Sequence, residues 1–323
     1  MCFDISKFFD TLSPVVLKKN WARVLNKQQL PEDHFKVYNS LVNFCYVEET
    51  DIIKHFKRVF KKTPRQHELN TKDAGGSLKN RICTYPELRQ LDKKYREQKK
   101  RLIKNKKEIK NTGIPQGTAI SGMLSNIFMI DFDLALKKDI EGLGGLYRRY
   151  SDDIFIAVPP NVTFETIELL LTTLLKQLCG ETTVLNPKKT EKRIYKIGAN
   201  GTFEVTNQKG ETAKVQYLGF HFDGKKIVIR NTSISKNLGK IITAIRKHKK
   251  GLGKINTVGV YKERSGRKIT PYDSVKKKGF ANYALRVSKV HENSEAISKQ
   301  IRKIDRVINR AQKRERLRVP ARK

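Results

Sequence analysis

The 323-residue sequence predicts an α+β fold, in which helices pack on one face of a β-sheet. Short apolar runs of strand length alternate with helical patterns through the middle of the chain. Hydrophobic residues make up 38% of the sequence, which is enough for a buried core. We expect residues 1–230 to hold the sheet and to carry a basic insertion at about 51–112, and residues 231–323 to be basic and mostly helical.

The N-terminal part of the chain predicts one strand followed by three helices. The strand lies in MCFDIS, where Asp4 interrupts an apolar run. The first helix has Ser13 as its cap and Pro14 at its first position. Its apolar residues at helical spacing are Val15, Val16, Trp21 and Val24. A second helix is expected in HFKVYNSLVNFCY, a loop or insertion over 61–85, and a solvated basic helix in ELRQLDKKYREQKKRLIKNKKEI.

The middle of the chain predicts a loop, a long helix and a strand pair. In GIPQGTAISGMLSNIFMIDFDLALKKDI a Gly/Pro loop leads into one buried helix, with apolar positions at Ile120, Leu124, Ile127, Phe128, Ile130 and Leu134. GLYRRYSDDIFIAV predicts a strand, a tight turn and a strand. An amphipathic helix capped by Thr163 follows, then a hairpin in KVQYLGFHFDGKKIVIR with Asp-Gly at its turn. From Ser233 onward the pattern is mostly helical.

The charge of the chain indicates a polyanionic partner. The formal net charge is +36, and it is concentrated in two places. Residues 51–110 hold 20 Lys and Arg against 7 Asp and Glu, and residues 231–323 hold 27 against 6. A nucleic acid is the partner that such basic regions favour. The alternatives are a charge that serves only solubility, or a ribosome-associated protein.

The cysteines and the apolar runs argue against several other classes. Cys2, Cys45, Cys83 and Cys179 are far apart, so neither a zinc site nor a disulfide framework is indicated. Reduced thiols and the absence of a signal-peptide pattern at MCFDISKFFD predict a cytoplasmic protein. Apolar runs all stay short of 18 residues, so no membrane span is expected.

Three aspartates carry the main chemical signal. Asp4, Asp152 and Asp153 each lie in or beside an apolar strand. Carboxylates that converge on a sheet repel one another unless cations balance them, and Mg²⁺ prefers such hard oxygen ligands. Two such ions can activate a 3′-hydroxyl and stabilise a leaving pyrophosphate, which makes the chain a candidate nucleotidyltransferase. A purely structural Asp-Asp turn is the alternative for the adjacent pair.

Five segments in order resemble the palm motifs of the reverse transcriptases. They are FDISKFFD, GIPQGTAISGMLSN, YSDD, NPKKTE and YLGF, and the resemblance spans about residues 1–225. In style it is closest to the bacterial group of retron, group II intron, abortive-infection and defence-associated enzymes. The resemblance implies a right-hand polymerase palm, built as an antiparallel sheet with helices on one face, followed by a basic helical thumb over 231–323.

The resemblance also assigns metal ligands. Asp4 and Asp152 would be the principal ligands, Asp153 would assist, and Ile5 would offer its backbone carbonyl. Two Mg²⁺ ions are implied, with Mn²⁺ as a substitute. Lys189 matches the lysine near the triphosphate that can protonate pyrophosphate, although its neighbour Lys188 is an alternative and either side chain could simply be solvated.

Further motif residues match contacts to the nucleotide and the primer. Phe9 matches an aromatic steric gate that would exclude a ribose 2′-hydroxyl, with core packing as the alternative. Gln116 and Gly117 match the loop that lines the incoming dNTP. The residues that match the primer-binding hairpin and the support of the primer terminus are Leu218, Gly219 and Tyr150.

The implied partners are an RNA template, a DNA or RNA primer and dNTPs. An associated non-coding RNA or protein is a further candidate partner. The insertion at about 51–112 would hold template or partner nucleic acid, and a solvated run of charges is the alternative. Only three residues precede Asp4, where family members carry a fingers region. The alternatives are a truncation and a separate polypeptide that supplies the fingers, and truncation is favoured. On that view we expect weak or no activity for residues 1–323 alone.

The subfamily and the competing function rest on weaker signals. The thumb lacks the Val-Thr-Gly signature of retron enzymes, and no zinc-type or nuclease segment follows it. The pattern therefore favours an abortive-infection or defence-associated enzyme with a role in antiviral defence. The alternative is a maturase-like RNA-binding protein whose palm is idle.

Overall fold

The computed structural model describes residues 1–48, 50–52, 71–72, 78–79, 84–105, 112–198, 201, 203–249, 280–291 and 294–317. The chain divides into two compact units. The first comprises Met1–Asp4, Asp153–Ala157 and Pro187–Lys323, and the second comprises Ile5–Asp152 and Val158–Asn186. Helices and antiparallel strand pairs occur in both units, which confirms the α+β class. The division into palm and thumb near residue 230 stays a prediction.

The secondary structure of the described residues alternates between short strands and helices. The helices are α1 Phe8–Thr11, α2 Pro14–Val24, α3 Glu32–Val42, α4 Tyr85–Glu97, α5 Ser121–Phe128, α6 Ile130–Gly142, α7 Phe164–Leu174, α8 Asn231–Lys249, α9 Phe280–Val290 and α10 Glu295–Leu317. The strands are β1 Cys2–Asp4, β2 Cys45–Tyr46, β3 Thr71–Lys72, β4 Leu78–Lys79, β5 Lys104–Asn105, β6 Leu146–Tyr150, β7 Asp153–Ala157, β8 Ile194–Ile197, β9 Phe203–Thr206, β10 Val215–Tyr217, β11 Phe220–Phe222 and β12 Ile227–Ile229. A π-helix at Leu175–Cys179 continues α7, and a 3₁₀ turn occupies Pro187–Lys189.

In the first unit, β1 and β7 form an antiparallel pair with apolar and acidic positions in register. The register is Cys2 with Phe155, Phe3 with Ile154 and Asp4 with Asp153. Because side chains alternate along a strand, the middle pair occupies one face, where both residues are at most 2% exposed. The two outer pairs share the opposite face, on which Cys2 and Phe155 pack with Val205 and Val215.

A meander and a helical cluster form the rest of the first unit. β10, β11 and β12 pair in sequence order, so the predicted hairpin is present but extends to three strands. Asp223 and Gly224 begin the turn between β11 and β12, as the Asp-Gly signal predicts. Helix α10 binds β12 through the Gln300 amide, which accepts from the Ile229 N–H at 2.9 Å and donates to the Ile229 carbonyl at 2.9 Å.

In the second unit, α2 confirms its predicted start but buries a different face from the one expected. The Ser13 side chain accepts from the Val16 N–H at 3.5 Å, and Pro14 is the first helical residue. Val15 and Val24, two of the four apolar residues at helical spacing, are 75% and 51% exposed. The buried residues of α2 are Pro14, Leu17, Asn20, Trp21 and Ala22. The polar Asn20 can lie on this face because its amide donates to the Phe128 carbonyl. The buried face therefore follows the 3.6-residue helical period through a polar position.

The predicted long helix is wrong in one respect, because the chain forms two helices. α5 ends at Phe128 and α6 begins at Ile130, with Met129 between them. The Asn20 amide donates to the Phe128 carbonyl at 3.0 Å, which gives this carbonyl a partner at the break. The break also changes the inward face, so Leu134 is 64% exposed, whereas Phe132, Leu136 and Ile140 are fully buried.

Several other sequence predictions hold with shifted boundaries. α3 ends at Val42, and Cys45–Tyr46 form a strand instead of its last turn. The basic helix occupies only Tyr85–Glu97 and begins with a capping box of Thr84 and Glu87. The strand, turn and strand of GLYRRYSDDIFIAV are present, and the Thr163 side chain caps α7 by accepting from the Thr166 N–H at 3.2 Å.

Parts of the predicted basic regions lie outside the described residues. This applies to most of the expected loop over 61–85 and to 251–279 and 318–323 of the C-terminal region. Within the described part of the chain, no helix is both long and apolar enough to cross a membrane. Cys2, Cys45 and Cys179 are free thiols. A cytoplasmic location stays a prediction.

Candidate active site

Two of the predicted acidic residues face each other across the β1–β7 pair. Asp4 ends β1 and Asp153 begins β7, and the register places them directly opposite. Residues opposed in this way lie on the same face of the sheet, with Cβ atoms about 5 Å apart. Like charges in this position destabilise a strand pair. A cation near the two carboxylates would offset this repulsion.

Lys189 provides one positive charge at this point. Its ammonium donates to Oδ2 of Asp4 at 2.7 Å. The Asp4 side chain is only 8% exposed, whereas the Lys189 side chain is 61% exposed. Two backbone hydrogen bonds of 2.8 Å between Cys2 and Glu191 hold the segment after Lys189 against β1. The lysine predicted near the triphosphate thus contacts a predicted metal ligand through a flexible side chain.

Ile5 and Asp152, the neighbours of this pair along the chain, meet in the second unit. The Ile5 N–H donates to the Asp152 backbone carbonyl at 3.0 Å. Ile5 is 1% exposed, and the N–H of the next residue, Ser6, donates to the Val184 carbonyl at 2.8 Å. Asp152 is half-buried. These two hydrogen bonds fix the backbone that follows the end of β1 and the backbone that precedes the start of β7. Ile5 and Asp152, both predicted metal ligands, lie in these segments.

A buried arginine paired with a half-buried aspartate supports the turn between β6 and β7, and the sequence analysis did not identify this pair. Arg149 donates to Asp133 in a fork, with Nε at 2.7 Å from Oδ1 and Nη2 at 2.6 Å from Oδ2. The Tyr147 hydroxyl donates to the same Oδ1 at 2.6 Å. Burial alone would lower the pKa of Arg149, but the hydrogen bonds and charge of Asp133 outweigh burial and raise this pKa. Burial and the Asp133 carboxylate together raise the pKa of Tyr147.

The donor set suits a hard divalent cation. Paired carboxylates and a nearby backbone carbonyl are oxygen ligands, and Mg²⁺ is usually held by one or two carboxylates together with water and phosphate. Among the residues that the structure describes, no three His, Cys, Asp or Glu side chains form a preassembled metal-binding group. The Asp4–Asp153 pair therefore fits part of a metal site, and the full ligand set of Asp4, Ile5, Asp152 and Asp153 stays a prediction.

The loop before α5 is attached to the backbone around Phe9. The N–H of Gly113 donates to the Leu12 carbonyl at 2.7 Å, and the N–H of Ile114 donates to the Phe9 carbonyl at 2.8 Å. Gly113 has φ of +86°, and a Cβ on it would lie 2.6 Å from the Asp10 carbonyl oxygen. Only glycine fits such a close approach. Gly113 is therefore the residue that joins the predicted nucleotide loop to the predicted steric gate.

The other predicted nucleotide contacts are at the surface of the second unit. Gln116 is exposed, and Gly117 has φ of +88° with no atom within 4 Å of an added Cβ. Phe9 is half-buried and its ring lies 5.5 Å from that of Phe8, which is 3% exposed. Phe8 thus occupies the core position, and Phe9 retains an accessible portion. The open space at Gly117 and the accessible part of Phe9 leave room for a ligand. The roles of Phe9, Gln116 and Gly117 in nucleotide binding stay predictions.

The predicted primer contacts lie on turns or on an outward strand position. Leu218 and Gly219 connect β10 to β11, with φ of +47° and +82°. Positive φ at both central residues is typical of a type I′ hairpin turn, for which leucine is an unusual choice. The Arg230 N–H donates to the Gly219 carbonyl at 2.9 Å. Tyr150, on β6, is 66% exposed.

Comparison with known proteins identifies a domain in this chain. Residues 79–222 match the family described as "Reverse transcriptase (RNA-dependent DNA polymerase)". The match spans a little under half of the chain and includes Gln116, Asp152 and Lys189. Residues 79–222 are thus similar to the domain of an RNA-directed DNA polymerase, a nucleotidyltransferase. No curated protein matched the chain.

Solved telomerase structures resemble the chain at low identity. The telomerase of Candida albicans, in complex with a fragment of telomeric RNA, is 15% identical with a TM-score of 0.41, and the alignment covers 97% of this chain and 39% of that one. The apo telomerase of Candida tropicalis is 14% identical with a TM-score of 0.39, and the alignment covers 97% and 43% of the two chains. This chain thus spans about two fifths of the telomerase chains.

Proposed function

We propose that this protein synthesises DNA from dNTPs on an RNA template, by nucleotidyl transfer at the ends of β1 and β7. The observation that carries the proposal is the direct pairing of Asp4 with Asp153, in a chain whose residues 79–222 match the reverse transcriptase family. The two basic regions would bind the template and the primer, since each phosphate contact releases counterions and adds affinity. Deoxynucleotides, an RNA template and a DNA or RNA primer are the partners.

Bond formation requires the exchange of one phosphorus–oxygen bond for another. The 3′-hydroxyl oxygen of the primer bonds to the α-phosphorus of the dNTP, its proton passes to water, and the bond to the bridging oxygen of pyrophosphate breaks. Asp4, Asp152 and Asp153, with the Ile5 carbonyl, would hold two Mg²⁺ or Mn²⁺ ions. When bound, such ions supply activation of the hydroxyl and neutralisation of the leaving group.

Lys189 would act on the leaving group. Its ammonium is 2.7 Å from Asp4 Oδ2, yet most of its side chain is exposed, so it can turn from the carboxylate towards a phosphate without breaking a packed core. A proton donated by Lys189 would remove one negative charge from the departing pyrophosphate. Phe9, held by the Gly113 loop, would exclude the 2′-hydroxyl of ribonucleotides, and Gln116 and Gly117 would line the same nucleotide.

The primer would be placed by Leu218, Gly219 and Tyr150. The first two form a tight turn, and Tyr150 offers an exposed ring on which a terminal base can stack. The motif style further supports a bacterial enzyme of the abortive-infection or defence-associated type, acting in the cytoplasm in antiviral defence. A dedicated non-coding RNA or a protein is its candidate partner.

Primer extension tests the proposal. The assay supplies a primed RNA template, dNTPs and Mg²⁺ to a protein of residues 1–323. In parallel it tests the protein encoded by any longer reading frame that continues upstream. We expect extension by at least one of the two forms, and loss of extension in the double variant Asp152→Ala/Asp153→Ala with unchanged template–primer binding. Equal extension by the double variant would show that the aspartates are not catalytic.

The same assay separates the alternative function. A maturase-like RNA-binding protein would bind RNA tightly and with a steep salt dependence, but without any effect of Mg²⁺ or of the aspartates. Tight RNA binding by both forms without any extension would therefore favour the RNA-binding protein over the polymerase.

A further inference from the structure

Strand β6 carries an arginine where an apolar residue is expected. Tyr147 and Arg149 alternate with the exposed residues Leu146 and Tyr150, and the Arg149 side chain is only 6% exposed. Burial of an unpaired guanidinium is very unfavourable. The hydrogen-bonded Arg149 at this position therefore serves a specific arrangement that an aliphatic side chain would not provide.

Four hydrogen bonds of the Arg149 guanidinium reach three elements of the second unit. Its fork is on Asp133 of α6, and Nη2 is also 3.3 Å from Oδ1 of Asn126 on α5. Nη1 donates to the backbone carbonyl of Ser151 at 2.9 Å. One buried side chain thus connects both helices to the turn that precedes Asp153.

The contacted carbonyl belongs to a strained residue. Ser151 has φ of +56°, in the left-handed region that residues with a Cβ rarely adopt. Because the peptide unit is planar, fixing the Ser151 oxygen also fixes the plane that contains the nitrogen and Cα of Asp152. The direction in which the Asp152 side chain leaves the backbone then depends on the Arg149 hydrogen bond.

We propose that Arg149, oriented by Asp133, is a positioning residue that holds Asp152 in the geometry required for nucleotidyl transfer. This proposal rests on the proposed function for its catalytic consequence. Its structural consequence is independent of activity, because the Asp152 carbonyl accepts the Ile5 N–H at 3.0 Å. Release of the turn should weaken that hydrogen bond.

The variant Arg149→Lys tests the proposal, since lysine keeps the charge but cannot form the fork and reach the Ser151 carbonyl together. We expect kcat for single-nucleotide extension to fall about 10- to 100-fold, as is typical when the support of a ligand is removed, with the KM for dNTP and the binding of template–primer unchanged. Hydrogen exchange at the Ile5 amide should become faster.

Arg23→Lys is the matched control. Arg23 forms an ion pair with Asp131, which lies in the first turn of α6 as Asp133 does. In the part of the chain that the structure describes, Arg23 forms no hydrogen bond with the turn at Ser151. We expect Arg23→Lys to leave kcat and Ile5 exchange unchanged. Tyr147→Phe is a milder second variant, because it removes only the hydroxyl that orients Asp133, and we expect it to lower kcat about 3- to 10-fold.

Rescue distinguishes positioning from general stability. Glycine adopts positive φ without penalty, so Ser151→Gly added to Arg149→Lys should recover part of the lost kcat. Three results would each overturn the proposal. They are a wild-type kcat in Arg149→Lys, equal losses of kcat in Arg149→Lys and Arg23→Lys, and unchanged hydrogen exchange at the Ile5 amide in Arg149→Lys. A wild-type protein that does not extend a primer contradicts the proposed function alone, and the exchange experiment still decides whether Arg149 positions Asp152.

Discussion

The two tight turns that carry predicted functional residues differ in what holds their backbone. Each contains a residue other than glycine in the left-handed region, Ser151 with φ of +56° and Leu218 with φ of +47°. The first turn is held by a buried guanidinium that reaches the Ser151 carbonyl. The second is held by the β10–β11 ladder and by the Arg230 N–H on the Gly219 carbonyl.

This difference shows where each turn is vulnerable. Strain at a functional site persists only where the surroundings fix the conformation. At Ser151 one of the fixing groups is a side chain, the Arg149 guanidinium, whose partner Asp133 lies 16 positions away along the chain. A single side-chain change should therefore loosen this turn. At Leu218 the fixing groups are backbone atoms of adjacent strands, so substitution of the side chain should leave the turn in place.

The largest expected effect is on the first turn. Asp133→Ala should lower the free energy of unfolding by about 3–5 kcal/mol, because it leaves the buried Arg149 charge without its carboxylate. Urea unfolding measures this loss. Asp131→Ala is the matched control, since its partner Arg23 is 46% exposed and the change should cost at most about 1 kcal/mol. Equal losses in the two variants would mean that burial of the Arg149 pair does not matter.

The Gly113 loop offers a third way to hold a functional segment, by direct backbone contact. Gly113→Ala should cost about 2–4 kcal/mol, because it combines a strained φ with a Cβ only 2.6 Å from a carbonyl oxygen. Gly210 has a similar φ of +79° with nothing within 4 Å of an added Cβ, so Gly210→Ala should show the strain alone, about 1 kcal/mol. Thermal unfolding of both variants compares them, and similar losses would refute the role of the close contact.

The smallest effect is expected at the second turn. Leu218→Asn should raise the free energy of unfolding by about 0.5–1 kcal/mol, because asparagine tolerates the left-handed region better than leucine. The same variant should bind a template–primer more weakly if the 39% exposed leucine contacts the primer. Urea unfolding and a binding titration measure the two effects, and a destabilised variant would show that the Leu218 side chain, and not the backbone ladder, holds this turn.

Local signals in the sequence were sufficient for many elements. Ser13 and Thr163 cap helices as their residue types predict, and the Asp-Gly pair lies at the expected hairpin turn. These features depend on neighbouring residues alone, so a single sequence contains them. The resemblance to reverse transcriptases agrees with the matched domain, and it named the aspartates that the β1–β7 register brings opposite each other.

Contacts between distant residues could not be predicted in the same way. The break at Met129 coincides with an amide from Asn20, which no periodicity within the helix reveals. The Arg149–Asp133 pair joins a strand to a helix, and its only signal was an arginine at an inward strand position. The approach of Lys189 to Asp4 spans 185 positions of the chain, so the sequence indicated the residue without its partner.

Single-nucleotide extension by the variant Asp4→Asn tests the central claim most directly. Asparagine is nearly isosteric, and the exposed Lys189 ammonium can be solvated when its partner loses its charge, so the fold should persist. We predict that the rate falls by about 10³-fold or more, since a metal ligand contributes several kcal/mol to the transition state, while template–primer binding is unchanged. Extension at the wild-type rate by Asp4→Asn would contradict an active site at the β1–β7 pair.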